Sequence, residues 1–233
     1  MDRGWRARWR YSARTMSTSN APLEVTLRGQ HVYLAPLRIE HVDALTAASA
    51  EAAAAGDTEL YKWSPVPQSR AEVERYVESA LTGRDAGTML PFTTHRASDN
   101  TVIGSTRFCY TDHWAWPPTH ARYTNPFPDV VEIGYTWFAR SAVRAAANTE
   151  AKLLMLAHAF DTWKCVGVCL YSDARNARSR AAIERIGGKL DGILRSHRMA
   201  ADFIPRDSAR YSIIAAEWPE VKQRLVAKLS SRK

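Results

Sequence analysis

The chain has 233 residues, 45% hydrophobic and 24% charged, the make-up of a folded globular chain rather than a disordered or fibrous one. Its apolar runs are only a few residues long, Leu153 to Ala157 among them, against the about twenty that a spanning helix needs, so no transmembrane helix and no membrane partner is expected. The 32 Lys and Arg exceed the 24 Asp and Glu by eight, an excess that invites a nucleic acid or another polyanion until the charge is located.

Half of the excess lies at the start. Residues 1–15 hold Arg3, Arg6, Arg8, Arg10 and Arg14 against Asp2 alone. Residues 1–20 therefore read as a basic extension, either a tail outside the fold or residues ahead of a true start at Met16, and 21–233 as a single domain. Trp5 and Trp9 also suit a targeting or surface-binding arm, although the apolar stretch of a secretory signal is missing. Cys109, Cys165 and Cys169 are too few, and odd in number, for a secreted disulfide framework, so a cytoplasmic location is expected. They read as small buried hydrophobes, and neither they nor His41, His95 and His158 have partners at metal-ligand spacing, so no metal is expected.

In chain order, residues 31–37 predict a strand that Pro36 places at an edge or strand end, and 39–55 a helix with Val42, Leu45 and Ala48 on one side. Ser69 followed by Glu72 is a capping box opening a helix over 71–81, which Gly83 stops. Residues 90–96 and 102–110 predict adjacent strands. Between Asp112 and Asp129, Trp114, Trp116 and Tyr123 stand in a proline-punctuated loop, long enough to be functional. Strands over 130–138 and 164–172 alternate with helices over 148–162 and 176–186, the latter ended by Gly187-Gly188. Strands near 192–199 and 207–215 and a helix over 219–229 finish an α/β chain with a mixed sheet.

The helix from 148 is apolar on most sides and so must be deeply buried. Asn148 or Thr149 caps its first turn, and the free N–H groups there, with Arg140 and Arg144 beside them, suit a phosphate. A strand running into a helix N-terminus is common to many folds and is a weak signal by itself.

The next unit sharpens it. Glu132-Ile133-Gly134-Tyr135, Asn148-Thr149-Glu150-Ala151, Asn176 with Ser179, Gly187, Gly192 and Glu217-Trp218 occur in an order that resembles the GCN5-related N-acetyltransferase superfamily, and within it the ribosomal-protein N-terminal acetyltransferases, from about Val25 to Leu225. The resemblance implies an α/β fold with a mixed, mostly antiparallel sheet of six or seven strands, splayed to admit acetyl-CoA as cosubstrate. It implies that Gly134 and Tyr135 lie beside the cofactor, and that backbone amides of Arg144, Ala145, Ala146, Ala147, Asn148 and Thr149 cradle its pyrophosphate. The loop departs from the family pattern, with Val143, Ala146 and Asn148 where a Gln or Arg and two glycines are usual. Asn176 is expected to hold the pantetheine arm. Ser179 is the first candidate for the acid that protonates the departing thiolate, or else only bonds the local backbone; Tyr211 is the alternative acid. Glu132 is the candidate base for the acceptor amine, or a structural carboxylate. The carboxylate that some relatives use in the sixth strand is replaced here by Arg198, which brings His197 forward as another base. Trp114, Trp116 and Tyr123 wall the acceptor site or pin their loop, and Arg175, Arg178 and Arg180 reach the cofactor's 3′-phosphate or form a solvated face.

The expected activity is acetyl transfer from acetyl-CoA to a primary amine, a protein N-terminus or a small molecule, by direct attack in a ternary complex. A homodimer is compatible with it. Two rivals stand beside this reading: a CoA-binding protein of the same fold without catalysis, suggested by the loop without glycines, and a basic nucleic-acid-binding module, suggested by the charge and eight Trp.

Overall fold

The computed structural model describes residues 24–143 and 145–231. The basic extension, 1–20, and Arg144 lie outside the described residues. Eight strands form one mixed sheet, β1 (Leu27–Arg28), β2 (Val32–Pro36), β3 (Met89–Arg96), β4 (Val102–Asp112), β5 (Val130–Phe138), β6 (Gly167–Asp173), β7 (Lys189–Met199) and β8 (Pro205–Ile214), in the order β1-β2-β3-β4-β5-β6-β8-β7. The seven strands that the residue pattern predicts are all present, and the eighth is the two-residue β1. Only β5 and β6 run parallel; every other neighbouring pair is antiparallel.

Among the described residues five α-helices cover the sheet: α1 (Val42–Ala54), α2 (Arg70–Asp85), α3 (Ala147–Ala157), α4 (Ala177–Arg185) and α5 (Trp218–Ser230). The alternation of β4 sorts them onto two faces. Thr106 and Phe108 point to α3 and the turn that follows it, where Thr106 meets Met155 and Phe108 meets His158. Ser105 and Arg107 point the other way, to Tyr76 of α2. The core runs through both layers, with Leu34, Phe92, Phe108, Met155, Leu156, Ile213 and Leu225 all below 2% exposed.

The capping box forms as the spacing predicts: Glu72 N–H donates to Ser69 Oγ at 3.3 Å and Ser69 N–H to Glu72 Oε2 at 3.1 Å. Gly83 does not stop α2. A Cβ there would stand 2.7 Å from Met89 Sδ, so Gly83 is a close-packing position inside the helix, and the chain leaves it at Gly87, φ +70°. The helix predicted from 148 ends in a π-turn, His158–Thr162, before Trp163. Glu217-Trp218 locks the last helix in place: Trp218 Nε1 donates to Asp161 at 2.7 Å, and Glu217 pairs with Lys189 at 2.6 Å while accepting from Ile214 N–H.

One buried carboxylate fixes the start of α3. Glu150, 5% exposed, accepts from the backbone N–H groups of Gln30, His31 and Val32 at 2.9, 2.6 and 2.7 Å. Three donors on an ionised acceptor are strong bonds, and they tie the first turn of α3 to the β1–β2 turn. Glu150→Ala leaves these three amides unpaired, and unfolding in urea is expected to show a loss of about 3 kcal/mol.

Candidate active site

The site begins where the two parallel strands part. β5 and β6 pair only from Val130, Val131 and Glu132 to Gly167, Val168 and Cys169, after which each keeps only its outer neighbour. Beyond that point the inner edges of Gly134–Phe138 and Leu170–Asp173 face one another with no strand between them. Backbone N–H and C=O groups on such edges demand partners, and an amide-bearing chain laid in the gap supplies them. A bulge in β5 opens the same place. Between the pairs Ser105↔Trp137 and Arg107↔Gly134, β5 has Tyr135 and Thr136 where β4 has only Thr106, and Tyr135 takes φ +52°. At Gly134 a Cβ would stand 2.8 Å from Glu132 Oε1, so this carboxylate needs glycine beside it.

On the α3 side, the helix begins at Ala147 with Ala146 as its N-cap and no side-chain cap. Neither Asn148 nor Thr149 caps it, contrary to the sequence expectation, because both already lie inside the first turn. The first-turn N–H groups are thus left for an anion, with small Ala145, Ala146 and Ala147 around them. The uncapped turn and the open strand edges fit the pyrophosphate and the pantetheine amides of an acyl-CoA. Arg140 pairs with Asp57 at 3.4 Å instead of standing free for phosphate. Beneath the bulge lies Lys152, which sequence reading missed. It is 5% exposed and donates to Thr136 Oγ1 at 2.5 Å, with Thr106 Oγ1 at 3.5 Å, and burial pushes its pKa down to about 7.

On the opposite, α2 side stands Glu132, 2% exposed. Arg198 donates to both of its oxygens, at 3.1 and 2.8 Å. The residue that replaces the relatives' carboxylate therefore clamps the candidate base in a two-point ion pair. Register explains how it gets there. Between Leu194↔Ser208 and Arg198↔Arg206, β7 has residues 195–197 where β8 has only Asp207. Ser196 turns at φ +47° and donates its N–H to Asp207 at 2.8 Å. This bulge swings His197 and Arg198 towards β5. The His197 ring lies 5.1 Å from that of Tyr171 and its Nδ1 is buried without a partner. Burial first, and then Arg198 and Arg206, hold its pKa below the usual value, which keeps the imidazole neutral. Cys109, opposite Glu132 on β4, is no nucleophile, since burial and the Glu132 charge push its thiol far up.

The α4 side holds the remaining candidates. Asn176 Oδ1 caps α4 by accepting from Ser179 N–H at 3.0 Å, and Ser179 is half-buried one turn on. Tyr211 is enclosed: it accepts from Arg180 Nε at 2.9 Å and donates to Glu184 at 3.0 Å. Its phenol is committed on both sides, which leaves Ser179 as the acid candidate. The three arginines are engaged by the protein, Arg175 with Asp173 and Asp202, Arg178 with the Leu60 carbonyl and Arg180 with Tyr211. Arg175 and Arg178 are nevertheless exposed and Arg180 half-buried, as on a solvated helix face.

The loop before β5 is organised by Asp129, 3% exposed, which accepts from Trp114 N–H, Trp116 Nε1 and Arg122 Nε at 2.7, 2.8 and 2.7 Å. Trp116 also stacks on His120 at 4.0 Å. Trp114 and Tyr123 are 50% and 41% exposed. These contacts lie at the paired ends of β5 and β6, and none joins the three aromatics to Glu132 or α4. They pin the loop through Trp116, Arg122 and the Trp114 backbone and leave the Trp114 and Tyr123 rings exposed. Among the described residues no group of His, Cys, Asp and Glu could hold a metal ion, and no helix is long and apolar enough to cross a membrane.

The chain matches the family model described as an acetyltransferase (GNAT) domain over residues 31–189. No curated protein matches it. Among solved structures it is similar to a GCN5-related N-acetyltransferase from Brucella melitensis, with TM-score 0.73 and 28% identity over 88% of this chain and 85% of that one. RimJ of Mycobacterium smegmatis, solved in complex with CoA-disulfide, gives 0.66 at 22% identity over 88% and 92%. RimL, an α-N-protein acetyltransferase of ribosomal L7/L12, gives 0.65 at 16% over 82% and 94%; at these identities the last two share the fold. The parted strands, the bulge at Tyr135 and a family match over most of the chain make it a member of the GNAT N-acetyltransferase family, whose enzymes use acyl-CoA.

Proposed function

We propose that the chain moves an acetyl group from acetyl-CoA to a primary amine, a protein N-terminal α-amine or a small-molecule amine, by direct attack in a ternary complex. The observation that carries this reading is the coincidence of three features at one point: the parting of β5 from β6, the bulge at Tyr135 and the buried Glu132 carboxylate. The thioester supplies an activated acyl carbon when bound, and the residues around it supply orientation and proton transfer. The inner edges of Gly134–Phe138 and Leu170–Asp173 bind the pantetheine amides, and the uncapped turn at Ala147 binds the pyrophosphate. A backbone N–H of the splayed strand at the Tyr135 bulge takes up the negative charge that develops on the acyl oxygen.

An acceptor amine is mostly protonated at neutral pH and must lose a proton before it attacks. Glu132 takes that proton. Arg198 holds the carboxylate still, and His197, neutral on the same face, is the next acceptor. Ser179, one turn into α4, returns a proton to the departing thiolate, and Asn176 holds the pantetheine arm through the amide nitrogen that its capping bond leaves over. No covalent step on the enzyme is needed, and the buried, undissociated Cys109 offers none.

Calorimetric titration with acetyl-CoA, followed by thiol release across a panel of amines and N-terminal peptides, tests the reading. Binding with release is the expected result. Binding without release for any acceptor favours the non-catalytic rival, and no binding sinks the proposal. Glu132→Gln is expected to lower kcat about a hundredfold with acetyl-CoA affinity retained, the scale of a lost general base; untouched turnover removes Glu132 from the mechanism.

The pH profile has a set sign. His197 titrates below its ordinary value, so its neutral form is present at neutral pH and is lost only as pH falls through that depressed pKa. With a neutral acceptor, the acid limb of kcat/KM is expected below about pH 6.5, and Arg206→Met, which removes one of the charges depressing the ring, is expected to move that limb upward.

A further inference from the structure

The α2 face of the cleft holds more positive charge than its carboxylate balances. Arg107 is 2% exposed, yet no carboxylate pairs with it among the described residues. Its Nη1 lies 3.5 Å from Met89 Sδ, while Nε and Nη2 are buried with no hydrogen-bond partner. The guanidinium sits over two tyrosine rings, Tyr76 at 4.4 Å and Tyr135 at 4.1 Å from the centroids. Ring faces attract a cation, but they do not satisfy N–H donors. A buried guanidinium with an empty edge is costly to keep unless something anionic completes it.

Two more guanidiniums stand close by. Arg198 and Arg206 face each other across β7 and β8, and Arg198 is committed to Glu132. Arg206 bonds Ser208 Oγ at 3.0 Å through Nε. Burial and the Arg198 charge lower its pKa, against the opposing charges of Asp173 and Glu132. Cys109, opposite Glu132 on β4, feels the charges of both Arg107 and Arg198. Glu132 offsets Arg198 and Asp173 draws on Arg206, so Arg107 is the guanidinium that no carboxylate pairs with among the described residues.

The phosphates of CoA do not account for this excess. Their site at the start of α3 is served from the other face of β4, the one carrying Thr106 and Lys152. Arg107 lies on the α2 face with Tyr76. The charge is therefore aimed at whatever approaches the thioester from the acceptor side.

We propose that the acceptor is a primary amine that also carries a carboxylate, which binds the unpartnered Nε and Nη2 edge of Arg107 with Arg206 as its second cation, while the amine lies beside Glu132. A planar guanidinium edge takes a carboxylate with two parallel hydrogen bonds, which makes it selective for that group. Tyr135, 41% exposed and stacked over the guanidinium, is the ring that moves aside to admit it. The inference rests on the acetyltransferase reading above and specifies its substrate class.

The test is thiol release from acetyl-CoA with acceptor pairs that differ only in a carboxylate. One arm sets free amino acids against their amides; the other sets C-terminally amidated peptides with Glu at the second position against Gln. A carboxylate preference of at least tenfold in kcat/KM is expected in one arm, and the arm that shows it tells a free amino acid from an acidic N-terminus. Arg107→Met is expected to bring that ratio close to one. Arg206→Met, at a half-buried position, is expected to reduce it as well and serves where the core variant does not fold. Ratios near or below one in both arms, or a ratio that survives in the folded variants, overturn the proposal. Absence of release in every arm, from protein that still acetylates an amine without a carboxylate, overturns this inference alone; absence across the whole amine panel, from protein that still binds acetyl-CoA, overturns the transferase reading with it.

Discussion

The structure turns on an interrupted parallel pairing. Three residues of β5 meet three of β6, and then two strands that would continue a ladder separate while each stays bonded to its outer neighbour. A sheet does not give up ladder hydrogen bonds without cause, because unpaired backbone groups away from water carry a cost. The bulge at Tyr135 holds the strands apart on one side, and the antiparallel hold of β8 on β6 does so on the other. The cleft is consequently a property of the sheet itself, with a floor that cannot close by side-chain rearrangement. Glu150 extends the same logic to α3, since its three backbone amides anchor the start of that helix to the β1–β2 turn.

The two faces of this cleft have different electrostatics. Towards α3 the polar groups are Lys152 and two threonines, under an uncapped helix turn. Towards α2 lie one carboxylate and several guanidiniums, held in place by β4, by the bulge of β7 and by β8. Each side thus presents positive potential to whatever enters it. The net charge of +8, which by itself invites a polynucleotide, resolves into an N-terminal share outside the described residues and a local share around a small cleft. Many other arginines are paired, as Arg175 is with Asp173 and Asp202 and Arg122 with Asp129, so they contribute little free field.

Much of the fold was legible because its signals are local. The capping box at Ser69 and Glu72, the alternation that opens β2 and the amphipathic spacing of α1 are set within a single element, where hydrogen bonding and burial impose a fixed spacing. The errors also have physical causes. Gly83 reads as a helix stop because glycine is a poor helix former, but contact with Met89 leaves no room for a side chain there. Asn148 and Thr149 read as caps by residue type, although the helix starts one residue earlier at Ala147. The two-residue β1 is too short to show any period.

The candidate site divides along the same line. Residue types and order were enough to single out Glu132, Tyr135, Asn176 and Ser179, because each belongs to a short motif whose members are neighbours in the chain. Tyr211 fits the same strand pattern yet lies bonded to Arg180 and Glu184, and the aromatic loop is tied down by Asp129. Arg107, Lys152 and the clamp of Arg198 on Glu132 were invisible, since they depend on which strands are neighbours, in what register, and where the bulges fall. The linear chain determines elements and motifs through interactions of a few residues' range. Only packing decides which distant charges meet, because Arg198 and Glu132, 66 residues apart, come together through two strand bulges and a split sheet.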